Sequence, residues 1–261
     1  MNALRLLVVY FRIGLLGEAQ YRVNFLFQLF ETGLGMASVL AAIWVVFSQT
    51  DTLGGWKPAE LTALIGIYFI VLGSINVMVA PSLQKFMEDI VTGNFDYTLT
   101  KPADAQVLVS LSEVRIWRLA DVLLGAVALV VSIVRESMVV GWVEGGKFLL
   151  ALLAGAVMVY SFWIVLATLA FWFIRVENIL QIFWAMYTAG RWPVGIYPGW
   201  LKWTLTLVVP VAFAVTVPAE AVSGRASGTS LLGALGLACV LFAFSRWFWR
   251  IGIRKYAGAS S

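Results

Sequence analysis

Few side chains in this chain of 261 residues could carry out covalent chemistry. Histidine is absent, which removes the commonest general base and the commonest metal ligand. The single cysteine, Cys239, lies inside an apolar stretch and offers neither a disulfide nor metal-ligand spacing. Without histidine there is no ordinary catalytic triad, and no two carboxylates have a spacing that assigns an acid and a base. The sequence therefore argues against a hydrolytic or redox enzyme.

The stretch from Gly141 to Lys147 comes close to a phosphate-binding loop. Its spacing fits until the last position, where Phe148 replaces the required Ser or Thr hydroxyl. Such a loop works only between a strand and a helix, because its backbone amides must surround the phosphates. Here it leads into an apolar run. We interpret the match as chance and expect no ATP hydrolysis by this chain alone.

The composition requires lipid as the solvent. Hydrophobic residues make up 61% of the chain and charged residues 12%, and the mean hydropathy is +0.91. Soluble domains carry about 25% charged and about 45–50% apolar residues. The net charge of +4 comes from basic residues scattered among apolar runs, which indicates orientation in a membrane. We predict an all-α polytopic membrane protein that contacts membrane lipid and no nucleic acid.

Six stretches meet the requirement of about 20 mostly apolar residues for a spanning helix. Pro81 is expected to end the second, and the charges at the start of the third are expected to place its first turns in the cytoplasm. Twelve of the 18 lysines and arginines fall on the N-terminal side of the membrane, which predicts that both termini are cytoplasmic. The six stretches are residues 23–47, 61–80, a third that ends at Val134, 148–174, a fifth from about 178 to 192, and 226–245.

Two segments of the single transmembrane domain, residues 1–261, lie outside these spans. Residues 1–22 are apolar except for arginines that share one narrow helical face, and we interpret them as an interfacial helix. The alternative is a tail that leads into the first span. Residues 193–228 are apolar but broken by Pro210 and Pro218, which predicts a re-entrant hairpin at the outer surface. A seventh, kinked span is the alternative.

Polar side chains among the apolar runs are candidates for a functional path. An ionised group near the bilayer centre costs about 2.5–3.5 kcal/mol, so it tends to face protein or water. Glu31 is the best candidate for a buried group, whereas Arg115, Arg118 and Asp121 are expected to reach the membrane surface. Glu220 either contacts a transported molecule or faces the outer water. The candidate path residues are Gln28, Glu31, Asn76 and Glu220.

The loop of residues 81–106 after the second span is predicted to contain a short amphipathic helix. An amphipathic helix held below a membrane is suited to docking in a groove of a partner, or it simply ties two spans together. The sequence leaves both readings open. The apolar side of the helix consists of Leu83, Phe86, Met87 and Ile90.

This layout resembles the membrane subunit of bacterial type-2 ABC exporters, and more closely a family of bacterial ABC permeases of similar length. The interfacial helix, the six spans, the loop after the second span and the broken hairpin all agree with that layout. Three motifs carry the resemblance: residues 93–102 (Gly-Asn-Phe-Asp-Tyr-Thr-Leu-Thr-Lys-Pro), Tyr197-Pro198 with Val209-Pro210 and Val217-Pro218-Ala219, and Arg246-Trp247-Phe248-Trp249-Arg250 with Tyr256-Ala257.

The resemblance implies an exporter subunit of the bacterial inner membrane. Its coupling helix, within residues 81–106, would dock on a separate nucleotide-binding ATPase subunit, which holds the ATP and Mg, while this chain binds no cofactor. A second permease subunit, identical or related, would face the first across the transport path. The residues implied in coupling are Leu83, Lys85, Phe86, Met87, Glu88, Asp89, Ile90, Gly93 and Asp96.

Two other functions remain as alternatives. A self-contained secondary transporter driven by an ion gradient would need intramembrane coupling residues, for which Glu31 is the only support. A membrane-embedded enzyme is weakened by the missing histidines. The sequence does not identify the transported substrate.

Overall fold

The computed structural model describes Val9, Arg12 and residues 22–135, 141–173 and 177–256, and its architecture there is helical throughout. The prediction of an all-α polytopic membrane protein is confirmed. The predicted interfacial helix of residues 1–22 lies outside the described residues, except for Val9, Arg12 and Arg22. In the described ranges we number the α-helices α1 (Arg22–Phe47), α2 (Pro58–Ser74), α3 (Ala80–Thr92), α4 (Phe95–Leu99), α5 (Ala105–Ser110), α6 (Leu119–Arg135), α7 (Trp142–Thr168), α8 (Glu177–Thr188), α9 (Gly199–Trp203), α10 (Val217–Val222) and α11 (Gly228–Lys255).

Five helices of the described residues are long and apolar enough to cross a membrane. They correspond to the first, second, third, fourth and sixth spans predicted from the sequence. A bent pair of helices brings the number to six if the pair counts as one span. The five are Val23–Phe47, Pro58–Thr92, Ile116–Arg135, Trp142–Phe171 and Gly228–Lys255.

The fifth predicted stretch, from about 178 to 192, corresponds to α8, which has 12 residues and continues for one tight turn, Ala189–Arg191, before Pro193. An α-helix of that length covers about 18 Å, whereas the hydrocarbon core is about 30 Å thick. Among the described residues this helix therefore does not cross the bilayer on its own.

The segment of residues 193–228 is broken where the prolines predict. Its two limbs, Gly199–Val208 and Ala212–Val222, are bent by 79° at Pro210. The second limb is buried against α7, where a Cβ on Gly155 would lie 2.6 Å from the Cα of Ala214. Protein therefore covers the irregular backbone, as the lipid environment requires.

Pro81 does not end the helix of the second span: the helix continues past the residue where the sequence predicts its end. Proline has no N–H and cannot bond to the carbonyl four residues earlier, here that of Val77. The amide of Arg115 donates to this carbonyl instead, with an N···O distance of 2.7 Å. The helix therefore passes through a π-helical turn, Ile75–Val79, and continues as α3.

The connection before α6 is held against this joint. The hydroxyl of Ser82 donates to the carbonyl of Glu113 at 2.8 Å and accepts from the amide of Glu113 at 3.0 Å. Glu113 and Arg115 are therefore not part of the helical turns that the sequence predicts for the start of the third span. That span begins with a tight turn at Ile116 and becomes α-helical at Leu119.

The centre of the fold is the crossing of α2 and α6. From Leu61 to Phe69, every residue except Thr62 is buried. Glycines allow the two backbones to touch: a Cβ on Gly66 would lie 2.7 Å from both the carbonyl oxygen of Gly125 and the amide nitrogen of Leu129. Small residues at helix crossings are the usual means of close packing in membranes, where lipid gives no hydrophobic drive.

We predict that Gly66→Ala destabilises the protein by roughly 1–3 kcal/mol, because the new methyl group meets backbone atoms that cannot rotate away. The measurement is the free energy of unfolding in mixed micelles. The control is Gly236→Ala in α11, where a Cβ meets no atom within 4 Å and the fold should be unaffected. Equal stability of the two variants would show that the crossing is looser than described.

Candidate functional site

Residues 81–106 form a compact unit at one end of the spans, made of most of α3, the short helix α4 and the start of α5. The predicted amphipathic helix is present as the end of α3, and Gly93 terminates it in the left-handed conformation, with φ of 77°. A non-glycine residue is strained there, so this glycine fixes the turn. The chain then forms α4 and returns through Asp104, whose side chain accepts from the amide of Val107 at the start of α5.

The apolar side of this helix faces the protein's own core. Leu83, Phe86 and Met87 are 0%, 1% and 7% exposed. The Phe86 ring lies 5.0 Å from Trp249 of α11 and 5.5 Å from Phe171 at the end of α7, measured between ring centroids. These three side chains face the core of this chain, so the other side of the helix is the one available to a partner, and their role in coupling stays a prediction. The ends of α7 and α11 already cover them.

The outer side of the segment is the part that remains accessible. Of the predicted coupling residues, Lys85 and Glu88 are exposed, and Asp89, Ile90, Gly93 and Asp96 are partly buried. Sequence reasoning missed two large apolar side chains, Val91 and Tyr97, which are 61% and 73% exposed. Helical spacing places Val91 four residues after Met87, at the edge of the apolar side, and no sequence signal indicates that Val91 or Tyr97 points outward.

An ion pair fastens the returning end of the segment to α11. The guanidinium of Arg246 contacts both carboxylate oxygens of Asp104 and also donates to Oε1 of Gln106 at 2.7 Å. The hydrogen bonds from Arg246 lower the pKa of Asp104 below its ordinary value. The two residues are 142 positions apart, and no feature of the sequence predicted this pair.

The buried acid of the spans is Asp121 and not Glu31. Asp121 is 2% exposed and accepts at Oδ1 from the hydroxyl of Thr32 and from Nε2 of Gln28, the latter at 3.1 Å. Arg118 lies 3.7 Å from its other oxygen. Glu31 directly precedes Thr32 in α1, points to a different side of the helix and is exposed. The expectation that Asp121 reaches the membrane surface is therefore wrong, because Thr32 and Gln28 on α1 enclose it.

The four predicted path residues do not form one site. Gln28 belongs to the Asp121 cluster, Glu31 faces outward, and Asn76 and Glu220 are partly buried. Near Glu220, Arg225 pairs with Glu60 at 2.9 Å and lies over the Trp56 ring, joining the hairpin to the start of α2. In the described part of the chain, no His, Cys, Asp and Glu side chains group to hold a metal.

The phosphate-loop match is not a loop. Residues Trp142 to Lys147 form the first turns of α7, and from Gly145 onward their amides enter helical hydrogen bonds, so this backbone does not wrap around a phosphate as the motif requires.

We predict that Thr32→Val loosens the attachment of α1. The substitution keeps the shape and removes the hydroxyl that donates to Asp121, and interhelical hydrogen bonds in membranes contribute about 0.6–2 kcal/mol. Hydrogen exchange should be faster in α1 and unchanged in α2. The control is Ser38→Ala on the same helix, because the Ser38 hydroxyl bonds only to a carbonyl of its own helix. Unaltered exchange in Thr32→Val would contradict the role of this cluster.

We predict that the Asp104 pair stabilises the fold in a pH-dependent way. Because the pKa of Asp104 is lowered, its contribution is complete above the ordinary carboxyl pKa of about 3.9 and is lost as the pH falls through the folded-state value. Asp104→Asn retains a helix-capping side chain. This variant should be less stable than the parent at neutral pH, and the difference should shrink in acid. A difference that does not depend on pH would contradict the prediction.

Comparison with known proteins places this helical arrangement in a family. The family described as ABC-2 family transporter protein matches residues 34–260, which include the 81–106 segment, the bent pair and Arg246. A comparison with curated proteins gives no match. Members of the family are membrane components of transporters and are not themselves catalytic. The chain therefore belongs to the ABC-2 family of transporter proteins, as a multi-pass membrane permease.

Proposed function

We propose that this permease is the membrane subunit of an ABC exporter and that its 81–106 segment docks on a separate ATPase subunit, which binds ATP and Mg. The observation that carries the proposal is the exposed outer side of the segment, beyond the ends of the spans. Val91 and Tyr97 are large, apolar and exposed there, beside the charged Lys85 and Glu88. Apolar side chains rimmed by charge are typical of a protein interface.

Helix continuity supports a mechanical role for this surface. The helix runs from Pro58 to Thr92 without interruption, 35 residues or about 50 Å. This helix, whose first half is α2, has the largest buried share of the five candidate spans: 61% of the residues in its most apolar 18-residue stretch are buried. A displacement of the exposed end would therefore reach the centre of the membrane domain. Closure of the ATPase subunits would act on this end as a rigid-body switch.

We infer that a second permease subunit, identical or related, covers part of α1. Only 22% of the residues in the most apolar 18-residue stretch of this helix are buried. An acidic side chain that faces lipid is costly, so the exposed Glu31 favours a protein or a water-filled path opposite it. In this arrangement Glu31 lies at the transport path, whereas Gln28 fastens α1 to Asp121. Asn76 and Glu220 stay candidates for the path.

The proposed orientation places both termini on the cytoplasmic side of the bacterial inner membrane. The bent pair within residues 193–228 then dips into the outer leaflet. The distribution of lysine and arginine supports this orientation. Family membership weighs against a self-contained secondary transporter.

We predict that an ATPase subunit co-purifies with the tagged permease in mild detergent and that the purified complex hydrolyses ATP. The triple variant Lys85→Glu, Glu88→Lys and Tyr97→Asp should weaken the association roughly 10-fold or more, about 1.4 kcal/mol, because it changes only exposed side chains of the docking surface. The readout is the amount of ATPase retained on the tagged protein.

The control is Asp51→Lys, a charge reversal in an exposed loop at the other end of the spans. It should retain the ATPase. Purification of the parent permease alone, without ATPase activity, would overturn the proposed function. Equal retention by the triple variant would overturn only the placement of the docking surface.

A further inference from the structure

The 81–106 segment contacts α11 at two places. In its first half, Phe86 and Phe95 pack in an aromatic cluster with Phe171, Trp249 and Tyr256, and the ring centroids of Phe95 and Tyr256 lie 5.1 Å apart. At its returning end, Asp104 pairs with Arg246. Trp249 and Arg246 are three residues apart and so lie on neighbouring turns of α11.

The two contacts differ in what they fix. The aromatic cluster joins the segment to α11 by ring packing, with centroid distances of 5.0 Å from Phe86 to Trp249 and 5.1 Å from Phe95 to Tyr256. A bidentate guanidinium–carboxylate pair fixes both distance and orientation. The Arg246 pair therefore adds a directional constraint between the segment and α11 to the apolar packing of the rings.

Arg246 also connects this joint to α7. Gln106, which is 3% exposed, accepts from Nη1 of Arg246 and donates from Nε2 to the hydroxyl of Tyr160, at 3.4 Å. The Tyr160 hydroxyl also shares a hydrogen bond of 2.8 Å with Ser110 of α5. A single polar network therefore joins α11, α7 and the returning end of the segment. Gln106 and Ser110 are buried, whereas the side chains of Arg246 and Asp104 are 32% and 41% exposed, so the network runs from the interior to the surface.

We propose that Arg246 is a positioning residue that makes the 81–106 segment and the cytoplasmic half of α11 move as one body. The proposal rests on the proposed function, because it assigns a path for the displacement that the ATPase applies. Movement of the segment then reaches the bilayer along two helices, α2 by helix continuity and α11 through the Arg246 pair. Loss of Arg246 leaves the docking surface intact and releases α11 from the segment.

The chain offers a direct test, because its single cysteine, Cys239, is exposed on α11, two turns before Arg246. A second label site, Thr100→Cys, lies on the exposed part of the segment. Nitroxide labels at these two positions report their separation by pulsed electron paramagnetic resonance. The protein is reconstituted in lipid and mixed with excess unlabelled permease, so that distances between subunits do not contribute.

We expect a narrow distance distribution in the parent protein, unchanged when the ATPase complex is trapped with ATP and vanadate. Arg246→Ala and Asp104→Asn should each broaden the distribution, and the trapped complex should show a shifted distance. The double variant should behave like either single variant, because both remove the same pair. Arg246→Lys should be intermediate, because lysine keeps the charge but cannot form the bidentate pair.

The matched control is Arg250→Ala, which removes the same charge from an exposed position one turn further along α11. It should leave the distribution narrow. The proposal is overturned if Arg246→Ala is as narrow as the parent, or if the parent distance itself shifts on trapping. Co-purification of the ATPase tests the proposed function independently of these labels. The width of the distance distribution in the isolated permease tests the role of Arg246 whether or not an ATPase co-purifies.

Discussion

The carbonyl of Val77 has no partner within its own helix, because Pro81 lacks an N–H, and the amide of Arg115 occupies that place. An unsatisfied carbonyl near the end of a span costs several kcal/mol in lipid, so a helix containing Pro81 would end or bend away without this donor. Because the donor is present, α2 and α3 form one helix. The position of the 81–106 segment relative to the membrane depends on that continuity.

The helices around this one are less buried the farther they lie from it. The α2–α6 crossing brings backbones together at glycines, whereas in α1 and α11 only 22% of the residues in the most apolar 18-residue stretch are buried. Polar contacts to an aspartate nevertheless hold both peripheral helices. The helix α1 contacts Asp121 of α6, and α11 contacts Asp104 of the 81–106 segment. In an apolar solvent such polar contacts specify position, because dispersion contacts with lipid and with protein are similar in strength. The protein therefore combines a close-packed centre with two outer helices held at defined points.

This division suits a transporter of the ABC-2 family. In a permease, a displacement must be transmitted through helices that stay packed together, while the outer helices rearrange against lipid or against another subunit. The rigid centre includes the helix that reaches the 81–106 segment, and the aromatic cluster packs that segment against the ends of α7 and α11. The outer face of the segment keeps the exposed side chains that a partner could contact.

The sequence by itself determined the class of the protein, because a chain that is 61% hydrophobic needs lipid, and lipid permits only structures that satisfy their own backbone. Apolar run lengths also located five of the spans, and Pro210 located the break in the hairpin. The sequence further indicated the amphipathic helix after the second span. It could not say what covers the apolar side of that helix, since in so apolar a chain many surfaces compete for it.

Only the tertiary structure decided the rest. Whether Pro81 ends a helix depends on an amide 34 positions later, and whether Glu31 or Asp121 is buried depends on which side of α1 meets α6. The Asp104–Arg246 pair joins residues 142 positions apart. Local patterns determine that a helix forms and which of its faces are apolar. The partner of each polar group is set by how the helices are arranged in space, and no local pattern records that arrangement.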